Sequence, residues 1–312
     1  MAKITSKITL GIDVGKDELV ICNWTTQWIT TINNDPQEIK AFFRALAAPL
    51  RIAIEPTSTY HLNSVDVALA QDHQVYVINP RQLRHYRDAV NVRNKTDVID
   101  AWLLARYLEN EGEQLRLHKP QSRQAQQLWA LIKRRGMLTG TRTKILQSLK
   151  GVGLSHRGFI TELNRLIQRI DQRIKTLIRQ LGWMAGYNFC VSIPGIGPAN
   201  AAALVATYHR AAFASADAFV AYIGMDVRIR ESGHYKGKRK LTKRGESEVR
   251  RLLYCASISS RSHARFANHH QRQLEKGLSR IAANNVVARK LARIAFSLME
   301  NRQMFDKGIQ MA

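Results

Sequence analysis

Asp97 and Asp100 lie three residues apart in the stretch NKTDVIDAWLLARYLEN (94–110). On a helix they share a face with Ala101, Leu104 and Leu108, an apolar surface expected to point inward. Two further acids close short apolar runs: Asp13 ends KITLGID and Glu55 ends RIAIE, where Pro56 stops strand pairing. Inward-facing like charges have two explanations. One is local, with Asp97 as a helix N-cap, Asp100 as its N3 residue, Asp13 capping a turn and Glu55 paired with a lysine. The other is a divalent metal site, in which Asp13, Glu55, Asp97 and Asp100 converge on Mg²⁺ or Mn²⁺. Two such ions about 4 Å apart would clamp a phosphodiester during displacement.

A second region with chemical potential is YIGMDVRIRESGHYKGKRKLTKRGESEVRRLLYCA (222–256). From Arg228 to Arg251 it carries ten Lys and Arg against three Glu, with Gly233, Gly237 and Gly245 between them. GHYKGK imitates part of a phosphate loop, but the GxxxxGK[ST] spacing is missing and no clear strand leads into it, so a nucleotide site is rejected. The better reading is a loop that grips a polynucleotide backbone through Arg228, Arg230, Lys236, Lys238, Arg239, Lys240, Lys243 and Arg244. Ser232 stands at its start, before Gly233. A serine beside glycine is commonly a turn residue. Among so many cations, its alkoxide would also be stabilised for attack on phosphorus.

Elements must bring these residues together. Three short strands, 7–13, 18–24 and 28–33, form a meander with tight links. Asp35-Pro36-Gln37-Glu38 then starts a helix, with an N-cap, proline at N1 and an acid at N3. Strand 51–55, a helix over YHLNSVDVALAQ, strand 74–79 and the helix with Asp97 and Asp100 follow. This is the element order of an RNase H-like domain, in which strands one and four are neighbours. Between Asn79 and Lys95, Arg81, Arg84 and Arg87 recur at helical spacing, followed by Arg93 and Lys95. Beside the acidic cluster they are phosphate-contact candidates; a solvated helix face is the plainer alternative.

Further on, Ile160, Leu163, Ile167, Ile170, Ile174, Leu177 and Leu181 step alternately by three and four, a coiled-coil seam. It predicts a helical spacer, hairpinned at Gly151-Val152-Gly153 with 122–150 as the incoming helix, and it suggests self-association. Pro194-Gly195-Ile196-Gly197 before an alanine-rich helix resembles a helix-hairpin-helix turn, whose N–H groups can meet a phosphate; a tight turn between packed helices is the alternative. The expected organisation is an α/β RNase H-like (RuvC-like) domain over 1–118, a coiled-coil spacer over 119–185 and a mainly α domain over 186–312.

Charge divides along the same boundary. Residues 1–118 carry 13 Lys and Arg against 14 Asp and Glu, whereas 119–312 carry 35 against 10, within a formal net charge of +24. Such an excess points to nucleic acid. No apolar run approaches the ~18 residues of a membrane span, and the early acids of MAKITSKITLGIDVGKDE argue against a secretory leader. Cys22, Cys190 and Cys255 are isolated, which argues against zinc and disulfides and fits a cytoplasmic setting.

Together GIDVGKD, EPTSTY, NPRQLR, KTDVIDA, PGIGPANAAALVA, YIGM and ESGHYKGKRKLTKRG…VRRLLY resemble, in order and over almost the whole chain, the DEDD transposases of the 110 family of bacterial insertion sequences, relatives of the pilin-gene DNA invertases. The resemblance implies a RuvC-like fold whose four acids match Asp13, Glu55, Asp97 and Asp100, and a serine-bearing transposase domain with Ser232 at the nucleophile's motif position. It implies donor and target DNA as substrates, a noncoding bridge RNA as guide, dimers that pair into tetramers, a composite site shared between subunits, and strand exchange through a covalent phosphoserine. The invertase relatives leave RNA guidance open. A water-using RuvC-like nuclease and a non-enzymatic RNA-binding protein are the rival readings. One departure is Ser58, where many relatives have glycine in E-x-T-G-x-Y.

Overall fold

The computed structural model describes residues 8–46, 48–229, 231–232, 235–237 and 239–306, with the backbone alone for Tyr235 and Lys236. The chain forms two compact units, Met1–Pro120 and Gln121–Ala312.

In the first unit, β1 (Ile8–Val14), β2 (Glu18–Asn23) and β3 (Ile29–Asn33) form the antiparallel meander, and β4 (Leu50–Ile54) and β5 (Gln74–Val77) extend it in parallel, giving the order β3-β2-β1-β4-β5. An RNase H-like domain fits this mixed sheet. Helix α1 (Pro36–Ala45) starts as its sequence dictates: the Asp35 carboxylate accepts from the N–H groups of Gln37 and Glu38, and Pro36 occupies the first turn. Helices α2 (Leu62–Ala70), α3 (Pro80–Ala89) and α4 (Asp97–Glu111) complete the unit.

Both faces of the sheet are covered, which explains why the central strands read as apolar runs. Leu10, Ile12 and Val14 of β1 bury against Ile39 and Phe43 of α1 and Val65 and Ala68 of α2. On the other face, Val20 and Cys22 of β2 pack with Ala101 and Ala105 of α4. Ala53 of β4 packs there with Leu103, Leu104 and Leu108.

The second unit is mainly helical. Helices α5 (Arg123–Ser148) and α6 (Arg157–Gln180) form a hairpin, with Gly151 (φ 81°) and Gly153 (φ 68°) in the connection. Then come α7 (Met184–Val191), α8 (Pro198–Tyr208) and α9 (Ala216–Ile223). Four two-residue strands follow: β6 (Val227–Arg228), β7 (Glu231–Ser232), β8 (Tyr235–Lys236) and β9 (Lys240–Leu241). Helices α10 (Ser247–Ser259), α11 (Ala264–Glu275) and α12 (Arg280–Glu300) close the unit. Every residue of α8 from Ala201 to Thr207 is buried, as expected of a helix apolar on all sides at the centre of a bundle.

The coiled-coil expectation changes in one respect. Leu163, Ile167, Ile174 and Leu177 are buried within the chain, and Ile160, Ile170 and Leu181 are partly covered. Leu128 and Ile132 of the incoming α5 share a core with the C-terminal half of the seam, so a second subunit is not needed to cover it. No described helix is long and apolar enough to cross a membrane.

Candidate active site

Helix α4 runs antiparallel across β1, and three contacts set its height. At its far end Thr9 Oγ1 donates to Glu109 Oε2 at 2.7 Å. Midway, Gly11 carries no side chain because a Cβ there would stand 2.0 Å from the Ala101 carbonyl oxygen and 2.3 Å from the Ala105 nitrogen. On β4, Arg51 Nη2 donates to the Leu108 carbonyl at 3.1 Å. From Glu109 back to Asp100 the helix rises about 13.5 Å, and from Thr9 to Asp13 the strand advances about 13 Å. Asp100 therefore arrives level with Asp13. In the parallel register Ile12 faces Ile54, which puts Asp13 and Glu55 next along their neighbouring strands. Asn34 ties together the segments that follow the two acids, its Nδ2 donating to the carbonyls of Gly15 (3.0 Å) and Tyr60 (3.1 Å).

The electrostatics reflect this gathering. Burial, then the charges of Asp100, Asp97 and Glu55, push the Asp13 carboxyl up to about 6. Burial and the Asp100 charge raise Glu55, while Lys95 and Arg87 draw it down. Asp100 is buried, with 4% of its surface exposed, and its carboxylate accepts from Arg87 Nη2 of α3.

Two expectations are corrected. Asp97 is exposed rather than inward-facing, as is its neighbour Val98, because Asp97 occupies the first helical position, where the chain enters from solvent. The N-cap is Thr96, whose Oγ1 accepts from the Ile99 N–H at 3.3 Å, so the capping alternative for Asp97 and Asp100 falls away. Arg87 is no solvated phosphate contact in this arrangement: it is held on Asp100, and its Nε is buried without a partner. Arg81, Arg84, Arg93 and Lys95 are exposed.

The donor set suits a hard divalent cation: it is all oxygen, and burial together with the crowded negative charge resists ionisation at Asp13. Among the described residues no three Asp, Glu, His or Cys side chains yet stand close enough to grip one ion. Arg87 supplies the positive charge at Asp100 in this state.

In the second unit the basic segment is a ribbon that its sequence did not announce. Strand β6 pairs with β9 and, inside them, β7 pairs with β8, both antiparallel. Ser232 is exposed at the end of β7 farther from β6, opposite Tyr235. The base of the ribbon is clamped. Gly224 (φ 77°) and Gly245 cross so closely that a Cβ on Gly224 would lie 2.5 Å from the Gly245 nitrogen. Arg250 Nη1 donates to the carbonyls of both Ile223 and Gly245, and Thr242 Oγ1 to Asp226. Arg228, Arg239, Lys240, Lys243 and Arg244 are exposed. Arg230 and Lys238, named above as phosphate contacts, lie outside the described residues, as does the side chain of Lys236. In the glycine turn before α8, a Cβ on Gly195 (φ 86°) would stand 2.5 Å from the Ser260 nitrogen, so packing by itself accounts for that glycine.

Residues 10–152 match a transposase family model of the IS110 type, and residues 188–273 match the transposase family IS116/IS110/IS902. The chain belongs to the IS110 family of transposases. As a member it is a DNA recombinase, acting on DNA. Its curated relatives include the pilin gene-inverting protein of Moraxella bovis, 28% identical across 97% of this chain and 99% of the relative, and that of Moraxella lacunata, 27% identical over the same shares.

Asn34 and Asp226 fall outside the motifs quoted above, and Gly11, Thr242 and Arg250 lie within them without having been given a role of their own. Only Gly11 left a signal, a glycine inside a buried strand, which marks close backbone approach.

Proposed function

We propose that this transposase cuts and rejoins donor and target DNA through a covalent phosphoserine at Ser232, assisted by the cluster Asp13, Glu55, Asp97 and Asp100. The observation that carries the reading is the arrival of Asp100 level with the ends of β1 and β4, in one electrostatic group with Asp13 and Glu55. These four acids would hold Mg²⁺ or Mn²⁺. When bound, such an ion supplies Lewis-acid polarisation of a phosphate oxygen.

The chain's own residues account for the remaining steps. Exposed cations of the ribbon, Arg228, Arg239, Lys240, Lys243 and Arg244, neutralise backbone phosphates and draw the strand against Ser232. Arg230, Lys236 and Lys238 share this role by their place in the sequence, and Arg81, Arg84, Arg93 and Lys95 serve the acidic cluster in the same way. The Ser232 Oγ–P bond forms as one ester bond of the scissile phosphate breaks, and the departing oxygen takes the serine proton as a free hydroxyl. Attack by a hydroxyl of the exchanging strand reverses these steps and restores the serine. One phosphoester replaces another, so joining needs no nucleotide triphosphate.

We place a noncoding bridge RNA and a tetramer of paired dimers on the same footing, with the basic excess beyond residue 118 available for both nucleic acids. Action on the bacterial nucleoid follows. Guide-free inversion is the second reading, favoured by the near full-length match to proteins named for inverting a pilin gene.

The test is covalent trapping. The full chain is incubated with labelled donor and target DNA and Mg²⁺, with and without RNA transcribed from the flanks of its gene, then denatured. The expected result is a protein–DNA adduct absent from Ser232→Ala and Asp97→Asn. Cleavage without an adduct, unchanged in Ser232→Ala, would instead establish a water-using nuclease. An adduct that forms equally without RNA would select guide-free inversion.

A further inference from the structure

Helix α11 and its C-cap carry Arg265, His269, Arg272 and Lys276 at steps of four, three and four, which keeps them on one helical face. The row extends for about 16 Å. Lys290, from the neighbouring α12, lies within reach of its charges: Arg265 and Arg272 both act on the Lys290 ammonium, and Lys290, Arg272 and Lys276 all act on His269. Like charges spaced this way on a helix oppose folding.

Acids are few in the surrounding helices. Residues 247–300 contain ten Lys and Arg against three Glu. Glu248 is held by Arg251, Glu300 accepts from the Tyr208 hydroxyl, and Glu275 accepts from Gln271 Nε2. A repulsive row of this kind is relieved by an extended polyanion.

We propose that this face of α11, joined by Lys290, is a docking track for the phosphate backbone of duplex DNA, in addition to the basic ribbon. Two features select a duplex over a single strand. Phe266, the one Phe, Tyr or Trp of α11, is fully buried, so the track offers no exposed Phe, Tyr or Trp ring on which unpaired bases could stack. The charges are also strung along a straight helix at about 6 and 10 Å, distances at which successive backbone phosphates can be met. Burial and the surrounding cations hold the His269 ring below its ordinary pKa. At neutral pH it therefore serves as a neutral hydrogen-bonding group between point charges. The track reads no sequence; it fixes the orientation of a duplex on the second unit.

The test measures the salt dependence of binding by the full chain to labelled duplexes of unrelated sequence. For the triple variant Arg272→Gln, Lys276→Gln, Lys290→Gln, the log–log slope should fall by about 2.7, at roughly 0.9 per lost phosphate contact. Between about 50 and 200 mM salt, the wild type should then lose about 40-fold more affinity than the variant. Arg272→Lys should keep the wild-type slope; loss there as well would signal damage to the helix and overturn the proposal. An unchanged slope in the triple variant would overturn it, and so would a reduction confined to duplex RNA. Ser232→Ala should leave the slope intact, which separates failure of the track from failure of the covalent chemistry.

Discussion

Replacing Asp13 by asparagine should make the protein more stable at neutral pH, although it removes a residue proposed to be essential for activity. The Asp13 carboxyl is pushed from its ordinary 3.8 up to about 6, by burial first and then by Asp100, Asp97 and Glu55. The folded state therefore binds its proton more tightly than the unfolded chain does. Stability is full below the unfolded value, falls as pH rises between about 4 and 6, and stays reduced above that window. A shift of this size corresponds to at most about 3 kcal/mol. Asp13 is only partly buried, so solvent screening reduces the figure to about 1–2 kcal/mol. Asparagine keeps the shape and removes the charge. Urea denaturation of both proteins near pH 7.5, without divalent ions, should show a higher midpoint for Asp13→Asn at equal slope, and the gain should shrink as the pH approaches 4. Millimolar Mg²⁺ should raise the wild-type midpoint more than the variant's. Equal or lower stability of the variant at neutral pH, or a gain that persists in acid, would refute the claim that four crowded carboxylates strain this site.

Three further outcomes follow from single contacts. Arg87→Gln leaves the buried Asp100 without its cation and should cost about 3 kcal/mol in thermal or chemical unfolding; adding Asp100→Asn should recover part of that loss, and strict additivity of the two changes would contradict the pairing. Ser58 sits at φ 48°, in the left-handed region where glycine is at ease, so Ser58→Gly should raise stability by about 0.5–1 kcal/mol by calorimetry. Gly11→Ala would drive a methyl into the backbone of α4 at Ala101 and Ala105 and should cost about 3 kcal/mol or more; a silent substitution by circular-dichroism melting would mean that α4 does not press on β1.

A good part of the first unit was legible in the sequence. Its strands and helices announce themselves by apolar runs, by Asp35-Pro36 at a helix start and by Pro56 at a strand end. The division of charge near residue 118 and the block around Ser232 were equally visible, because composition and spacing are properties of the chain itself. The element order also anticipated that β1 would lie beside β4, and with it the meeting of Asp13 and Glu55.

What the tertiary structure decided concerns partners far apart along the chain. That Asp100 is buried while Asp97 meets solvent depends on where α4 enters the sheet, a height set by Thr9–Glu109 and by the crossing at Gly11. That Arg87 neutralises Asp100 rather than facing solvent depends on how α3 is placed against α4. The ribbon holding Ser232 consists of two-residue strands, too short to leave an alternating pattern, and it is pinned by Arg250 and by Gly224 against Gly245. The α6 seam resembled an interface between subunits, yet the chain covers it with its own helices. Periodicity records which face of an element is apolar; only the packed fold determines what that face meets, because burial and charge pairing belong to neighbours in space.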